Sequence, residues 1–186
     1  MSRFTVVDTP LACLKVIARQ SFHDSRGSFC RLFCEEELAS AGWTKPVVQI
    51  NHSYTRKRGT VRGLHFQRPP KTEMKLVSCI RGEVWDVAVD IRVDSPTFLR
   101  WHAIHLSEEN ERALLIPEGF AHGFQAMTDD VELIYCHSAP YSSSDQAGLS
   151  VLDASLDIRW PLPVVELSSR DAGYPSVASV FEGVSL

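Results

Sequence analysis

Apolar and polar residues alternate along much of this chain, and a two-residue period predicts strands rather than helices. The clearest run is Val84-Trp-Asp-Val-Ala-Val-Asp-Ile-Arg92. There Trp85, Val87, Val89 and Ile91 fall on one face, with Asp86 and Asp90 on the other. It follows an apolar segment at 75–80 across Arg81-Gly82-Glu83, a hairpin turn, and breaks at Asp94-Ser-Pro96. Further strands are predicted over 46–51, 59–67, 100–106, 113–116, 120–127 and 131–137. Turns at Pro69-Pro70, Pro117-Glu-Gly119 and Thr128-Asp129-Asp130 separate them. One helix is expected over 34–41, ended by Gly42, and a further helical turn within 145–156. Many short strands with Gly and Pro turns predict an all-β antiparallel sandwich or barrel with a few short helices. Inward-facing strand residues of such a fold converge at its mouth, which is where His65, Lys75 and Tyr135 are placed.

Composition changes this picture little. A chain of 186 residues is read as one domain, 1–186, with no linker, repeat or low-complexity segment. A net charge of -4 provides no general basic field, so nucleic acid is not an expected partner. The short basic run Arg56-Lys57-Arg58 reads as a solvated turn. No apolar run is long enough to span a membrane, and residues 1–10 lack the apolar core of a signal peptide. Cys13, Cys30, Cys34, Cys79 and Cys136 are odd in number and scattered, which predicts reduced thiols and a cytoplasmic location. No second cysteine pair accompanies Cys30 and Cys34, so no structural zinc is expected.

The richest stretch chemically is Gly59-Thr-Val-Arg-Gly-Leu-His-Phe-Gln67, with Lys75 beyond the Pro-Pro turn. It gathers an imidazole, a guanidinium and an amine, which suits proton abstraction from a phosphorylated substrate. His65 shares a strand face with Gln67. An imidazole titrating near neutrality suits a base for a carbon acid, and such a base needs a carboxylate to fix its tautomer. Spacing alone does not choose that carboxylate, and a histidine bonded only for structure remains the plain alternative. A metal site finds no His-x-His pair near His65, where Gln67 occupies the second position. His122 is isolated, and His102 and His105 point to opposite faces of a regular strand. Only a three-histidine site drawn from distant strands would remain. Lys75 is either a solvated strand end or a cation for an enolate oxygen. Tyr135 is either core with a bonded hydroxyl or a proton donor. Arg26 and Arg62 suit phosphate clamps or structural ion pairs.

Several motifs together resemble the dTDP-4-dehydrorhamnose 3,5-epimerases. They are Asp24-Ser-Arg-Gly27, Val61-Arg-Gly-Leu-His-Phe-Gln67, Asp86–Arg92 with Ser95-Pro-Thr-Phe98, Ile116–Phe124, Trp160-Pro161 and Leu167-Ser-Ser-Arg-Asp171. The resemblance implies a cupin-type jelly-roll sandwich, no metal or other cofactor, and a homodimer that exchanges strands. It implies a nucleotide-linked 4-keto-6-deoxy sugar as substrate, with dTDP as the expected nucleotide. By position, His65 matches the catalytic base, Asp171 its partner, Tyr135 the proton donor and Lys75 the enolate-stabilising lysine. Arg26 and Arg62 match positions contacting diphosphate or sugar, and Phe29 and Tyr141 match aromatics that sandwich the nucleobase. Gln49, Asn51, His122 and Arg170 match further substrate-binding positions.

Two positions depart from the family pattern: Arg31 stands where an acidic residue is usual, and Gln146 where Glu is usual. They bear on the nucleotide and the sugar rather than on the reaction. The same motifs also fit an epimerase of C3 or C5 alone, or a non-catalytic sugar-nucleotide binder. A 3,4-ketoisomerase would call for paired histidines, which are absent near His65, and a metal-dependent cupin oxygenase would call for bound iron.

Overall fold

The structure, a computed structural model, describes residues 3–177 and 181–186. Its strands are β1 (Phe4–Asp8), β2 (Lys15–Arg19), β3 (Phe22–Asp24), β4 (Gly27–Phe29), β5 (Gln49–Thr55), β6 (Val61–Gln67) and β7 (Lys75–Arg81). They continue as β8 (Glu83–Asp90), β9 (Trp101–Ser107), β10 (Arg112–Ile116), β11 (Phe120–Ala126), β12 (Val131–His137) and β13 (Gln146–Gly148). Two short helices, α1 (Glu35–Ala39) and α2 (Ser169–Ala172), complete the elements.

A six-stranded antiparallel sheet in the order β1-β2-β10-β7-β12-β5 faces a five-stranded one in the order β13-β6-β11-β8-β9. This is a cupin-like jelly roll. Alternation along the strands explains the layers. Val77, Leu114 and Leu133 of the first sheet meet Ala88, Leu106 and Phe124 of the second in the central core. The intervening residues of each sheet are buried outwards. Leu76, Leu115 and Cys136 pack under α1 and Trp43. Leu64, Phe66, Val87 and Val89 pack under the C-terminal segment around Leu156 and Trp160. Both faces of β8 are therefore covered, and the predicted aspartate face is interior: Asp86 and Asp90 are fully buried. Asp90 is satisfied by Arg92, Ser95 and Thr97, which explains why that motif follows the strand break.

The predicted helix forms as α1, with Cys34 as its N-cap residue. The helical turn expected within 145–156 does not form. Gln146–Gly148 instead pairs with β6, Gly148 lying opposite His65, and turns follow. The strand expected over 46–51 starts at Gln49 and runs on to Thr55. Strands β1 to β4 were not marked by the pattern; β1 exposes four of its five residues, and β3 and β4 are exposed throughout.

Candidate active site

A cavity of about 1020 Å³ opens between the sheets, large enough for a nucleotide-sized ligand. Strands β6 and β11 supply Arg62, His65, Gln67 and His122 to one wall. Strands β5, β7 and β12 supply Asn51, Ser53, Lys75, Tyr135 and His137 to the opposite wall.

A bulge sets the first wall. Strand β11 advances two residues, from His122 to Phe124, while β6 retreats three, from His65 to Arg62. That extra residue turns Arg62 to the same face as His65, which odd spacing forbids in a regular strand. Gly63 absorbs it with φ +134°, and a Cβ there would lie 2.5 Å from the Cα of Gly123. Arg62 is then steadied from β5, donating to Thr55 Oγ1 at 2.9 Å and to the Tyr54 carbonyl at 3.0 Å.

His65 meets its carboxylate from a distant part of the chain. Its Nε2 lies 2.7 Å from Oδ1 of Asp171, on α2. Ser168 caps this helix by accepting from the Asp171 amide at 3.0 Å. The Gly63 amide donates to the other carboxylate oxygen at 3.4 Å, so the bulge also serves the pair. Burial pushes the Asp171 carboxyl up, but His65, Gly63 and Ser168 outweigh it and hold the group below its ordinary value. Tyr174 packs edge-on against the imidazole at 5.8 Å.

On the opposite wall, Tyr135 lies between His122, edge-on at 6.1 Å, and His137, stacked at 6.0 Å. Its hydroxyl is 3.3 Å from Ser53 Oγ, and burial pushes its pKa well above the ordinary phenol value. Lys75 is buried, with Nζ 3.1 Å from Glu73 Oε1 and 3.5 Å from the His65 carbonyl. The wall facing it holds a second buried pair, His122 Nε2 with Asp86 at 2.9 Å. Burial raises the Asp86 carboxyl, and His122 and Lys75 only partly offset it.

At the rim, Gln146 Oε1 accepts from Tyr141 Oη at 2.6 Å and from Arg170 Nη1 at 2.8 Å. A glutamine at this departure position thus retains an acceptor for both. Gln67 anchors loops, donating to the Lys71 carbonyl at 2.9 Å and accepting from the Ser142 amide at 2.6 Å.

Three expected site residues do not line this pocket. Gln49 sits at the edge, accepting from the Tyr141 amide at 2.9 Å and donating to Asn51 at 3.1 Å. Arg26 and Phe29 lie on the exposed β3–β4 hairpin, where Arg26 pairs with Asp24 at 2.6 Å and Phe29 is 66% exposed. The hairpin is a separate two-stranded unit, and neither side chain lines the cavity. Arg31, the other departure, is also outside the cavity and pairs with Glu37 of α1. The sequence does not mark Glu73, Asp86, Ser53 or His137 as site residues; only Asp86, a carboxylate on an alternating strand that opens a family motif, carried a signal. Among the described residues, no group of three or more His, Cys, Asp or Glu side chains is arranged to hold a metal ion. Among them too, no helix is long and apolar enough to cross a membrane.

The family model for dTDP-4-dehydrorhamnose 3,5-epimerase matches residues 8–179. The epimerase of that name from Shigella flexneri is 42% identical over 167 residues, covering 89% of this chain and 92% of that one. The dTDP-6-deoxy-D-glucose-3,5-epimerase of Legionella pneumophila, crystallised with dTDP-4-keto-L-rhamnose, superposes with a TM-score of 0.93. It is 36% identical and covers 98% of each chain. A 3'-monoepimerase from Streptomyces bikiniensis, crystallised with dTDP-quinovose, superposes at 0.84 with 31% identity, covering 91% of this chain and 86% of that one. Fold and likeness together define a jelly-roll isomerase that acts on sugars. The chain belongs to the dTDP-4-dehydrorhamnose 3,5-epimerase family.

Proposed function

We propose that this protein inverts C3 and C5 of a dTDP-linked 4-keto-6-deoxyhexose, with His65 as base and Tyr135 as acid. One observation carries the reading: the His65–Asp171 pair and the Tyr135 hydroxyl occupy opposite walls of one cavity. The C4 ketone acidifies the hydrogens at C3 and C5. His65 takes one such proton, and the C–H electrons move to the C4 oxygen as an enolate. Asp171 orients the imidazole and favours the imidazolium that forms. Lys75 stabilises the oxygen where charge develops. Tyr135 then delivers its proton to the opposite face of the carbon, inverting it. Its raised pKa keeps that proton in place until the carbanion calls for it. Solvent afterwards removes the proton from His65 and restores that of Tyr135, so the cycle balances.

Arg62 is assigned to the diphosphate, with Asn51 and His122 on the sugar side of the cavity. Tyr141 and Arg170, joined through Gln146, are assigned to the nucleotide end. Arg26 and Phe29 are assigned to the cavity of a second copy in a homodimer. Their exposure on a separate hairpin supports this, since neither lines the cavity described above. Likeness to the Streptomyces 3'-monoepimerase favours one second reading, inversion at C3 alone. Proton NMR of the sugar after incubation with dTDP-4-keto-6-deoxyglucose tests the choice. Inverted configuration at both C3 and C5, read from the ring couplings and through-space contacts of H3 and H5, supports the double inversion. Change at H3 only favours the second reading, and an unchanged sugar rejects both.

A further inference from the structure

Beside the cavity runs a chain of hydrogen bonds whose direction is set by one backbone amide. The Tyr141 N–H donates to Gln49 Oε1 at 2.9 Å. A backbone N–H can only donate, so Gln49 must present its oxygen there and its Nε2 to Asn51 Oδ1, 3.1 Å away. Asn51 is then left with Nδ2 to give, and that nitrogen lies 3.2 Å from His137 Nε2. Flipping either amide would set donor against donor, so the orientations are fixed by the network. His137 Nε2 must therefore accept, and its proton must sit on Nδ1. That nitrogen lies 2.8 Å from Glu73 Oε2. The other oxygen of Glu73 holds Lys75 Nζ at 3.1 Å. Side chains of Glu73, Lys75 and His137 are each only 9% exposed.

We propose that Glu73, held from behind by the Nδ1–H tautomer of His137, is the positioning residue for Lys75, an inference that rests on the epimerase reading above. A free lysine side chain explores many rotamers, and a buried ammonium without a counter-charge deprotonates or withdraws. Glu73 supplies that counter-charge and restrains the side chain. One oxygen holds the ammonium within reach of the cavity, beside the His65 carbonyl. Its other oxygen is committed to His137, so the carboxylate is held at the cavity wall and not turned toward the enolate site. Lys75 and Glu73 are each held on the interior of β7 and the segment before it, and His137 lies directly opposite Lys75 in register on β12. The arrangement separates two tasks: His65 and Tyr135 move protons, while Glu73 and His137 hold a cation still.

The test uses the full-length protein in two measurements. The first is nitrogen-15 NMR of labelled histidine in the free wild-type protein, read at His137. A protonated Nδ1 and a bare Nε2 are expected; a proton on Nε2 instead overturns the proposal. Because no substrate is present, this result stands even if the exchange assay shows the epimerase reading to be wrong. The second is the rate of solvent deuterium incorporation into the keto sugar for Glu73→Gln, His137→Asn and His137→Leu. Glu73→Gln is expected to lower kcat about tenfold or more with little change in KM, because an enolate-stabilising contact is loosened rather than a ground-state one. His137→Asn, whose amide nitrogen replaces Nδ1, is expected to restore most of the kcat lost in His137→Leu. Wild-type kcat in Glu73→Gln, or no difference between the two His137 variants, overturns it.

Discussion

The imidazole Nε2 of His65 lies 2.7 Å from Oδ1 of Asp171, which follows it by 106 residues. The two are joined by a strand bulge on one side and a four-residue capped helix on the other. Asp171→Asn keeps the shape of this contact but removes the charge that stabilises an imidazolium. We expect kcat to fall about a thousandfold, with KM changed little. Steady-state kinetics check this; a loss under threefold would show that His65 does not need its partner.

The same pair makes stability depend on pH. Asp171 binds a proton less readily folded than unfolded, since its pairing with His65 outweighs its burial. Its contribution is therefore complete above the ordinary carboxylate value of about 3.9 and is lost as pH falls through the lower folded value. Glu73 acts in the same sense: burial raises it, but Lys75 and His137 hold it below its ordinary value. Urea midpoints taken from about pH 7 to about pH 3 should fall on acidification. The gap between wild type and Asp171→Asn should narrow over the same range, and a gap that widens would contradict the assignment.

Gly63 offers a structural test. With φ at +134° and only 2.5 Å between an added Cβ and Gly123, Gly63→Ala forces the two central strands apart. We expect a loss of about 2 kcal/mol or more in urea unfolding, because both strain and steric overlap are introduced. Activity should fall further than stability, since the Gly63 amide and the facing of Arg62 both serve the site. An unchanged midpoint would show that the bulge is not required.

Much of this was legible in the chain. Alternation located β8 and placed Trp85 and Asp86 on opposite faces, because successive side chains of a strand point to opposite sides; that the aspartate face is itself buried was not legible in the pattern. The motif residues named His65, Lys75, Tyr135 and Asp171, and all four line one cavity. Alternation did not reveal that Arg62 shares the His65 face, since a bulge breaks the period on which such a reading depends. Nor did it mark Glu73 or His137, which meet Lys75 through ion pairing and through the register of β7 with β12. The exposed hairpin bearing Arg26 and Phe29 carries too few buried apolar positions to announce itself.

Solvent-isotope exchange tests the central claim most directly. The protein is incubated in heavy water with dTDP-4-keto-6-deoxyglucose, beside His65→Asn and Tyr135→Phe, and the sugar is read by mass spectrometry and NMR. We predict deuterium at both C3 and C5 with inversion in the wild type, and none in His65→Asn. Tyr135→Phe should still exchange while inversion falls about a hundredfold, because the base alone returns protons to the face it took them from. Undiminished exchange in His65→Asn, or none in the wild type, would contradict the account.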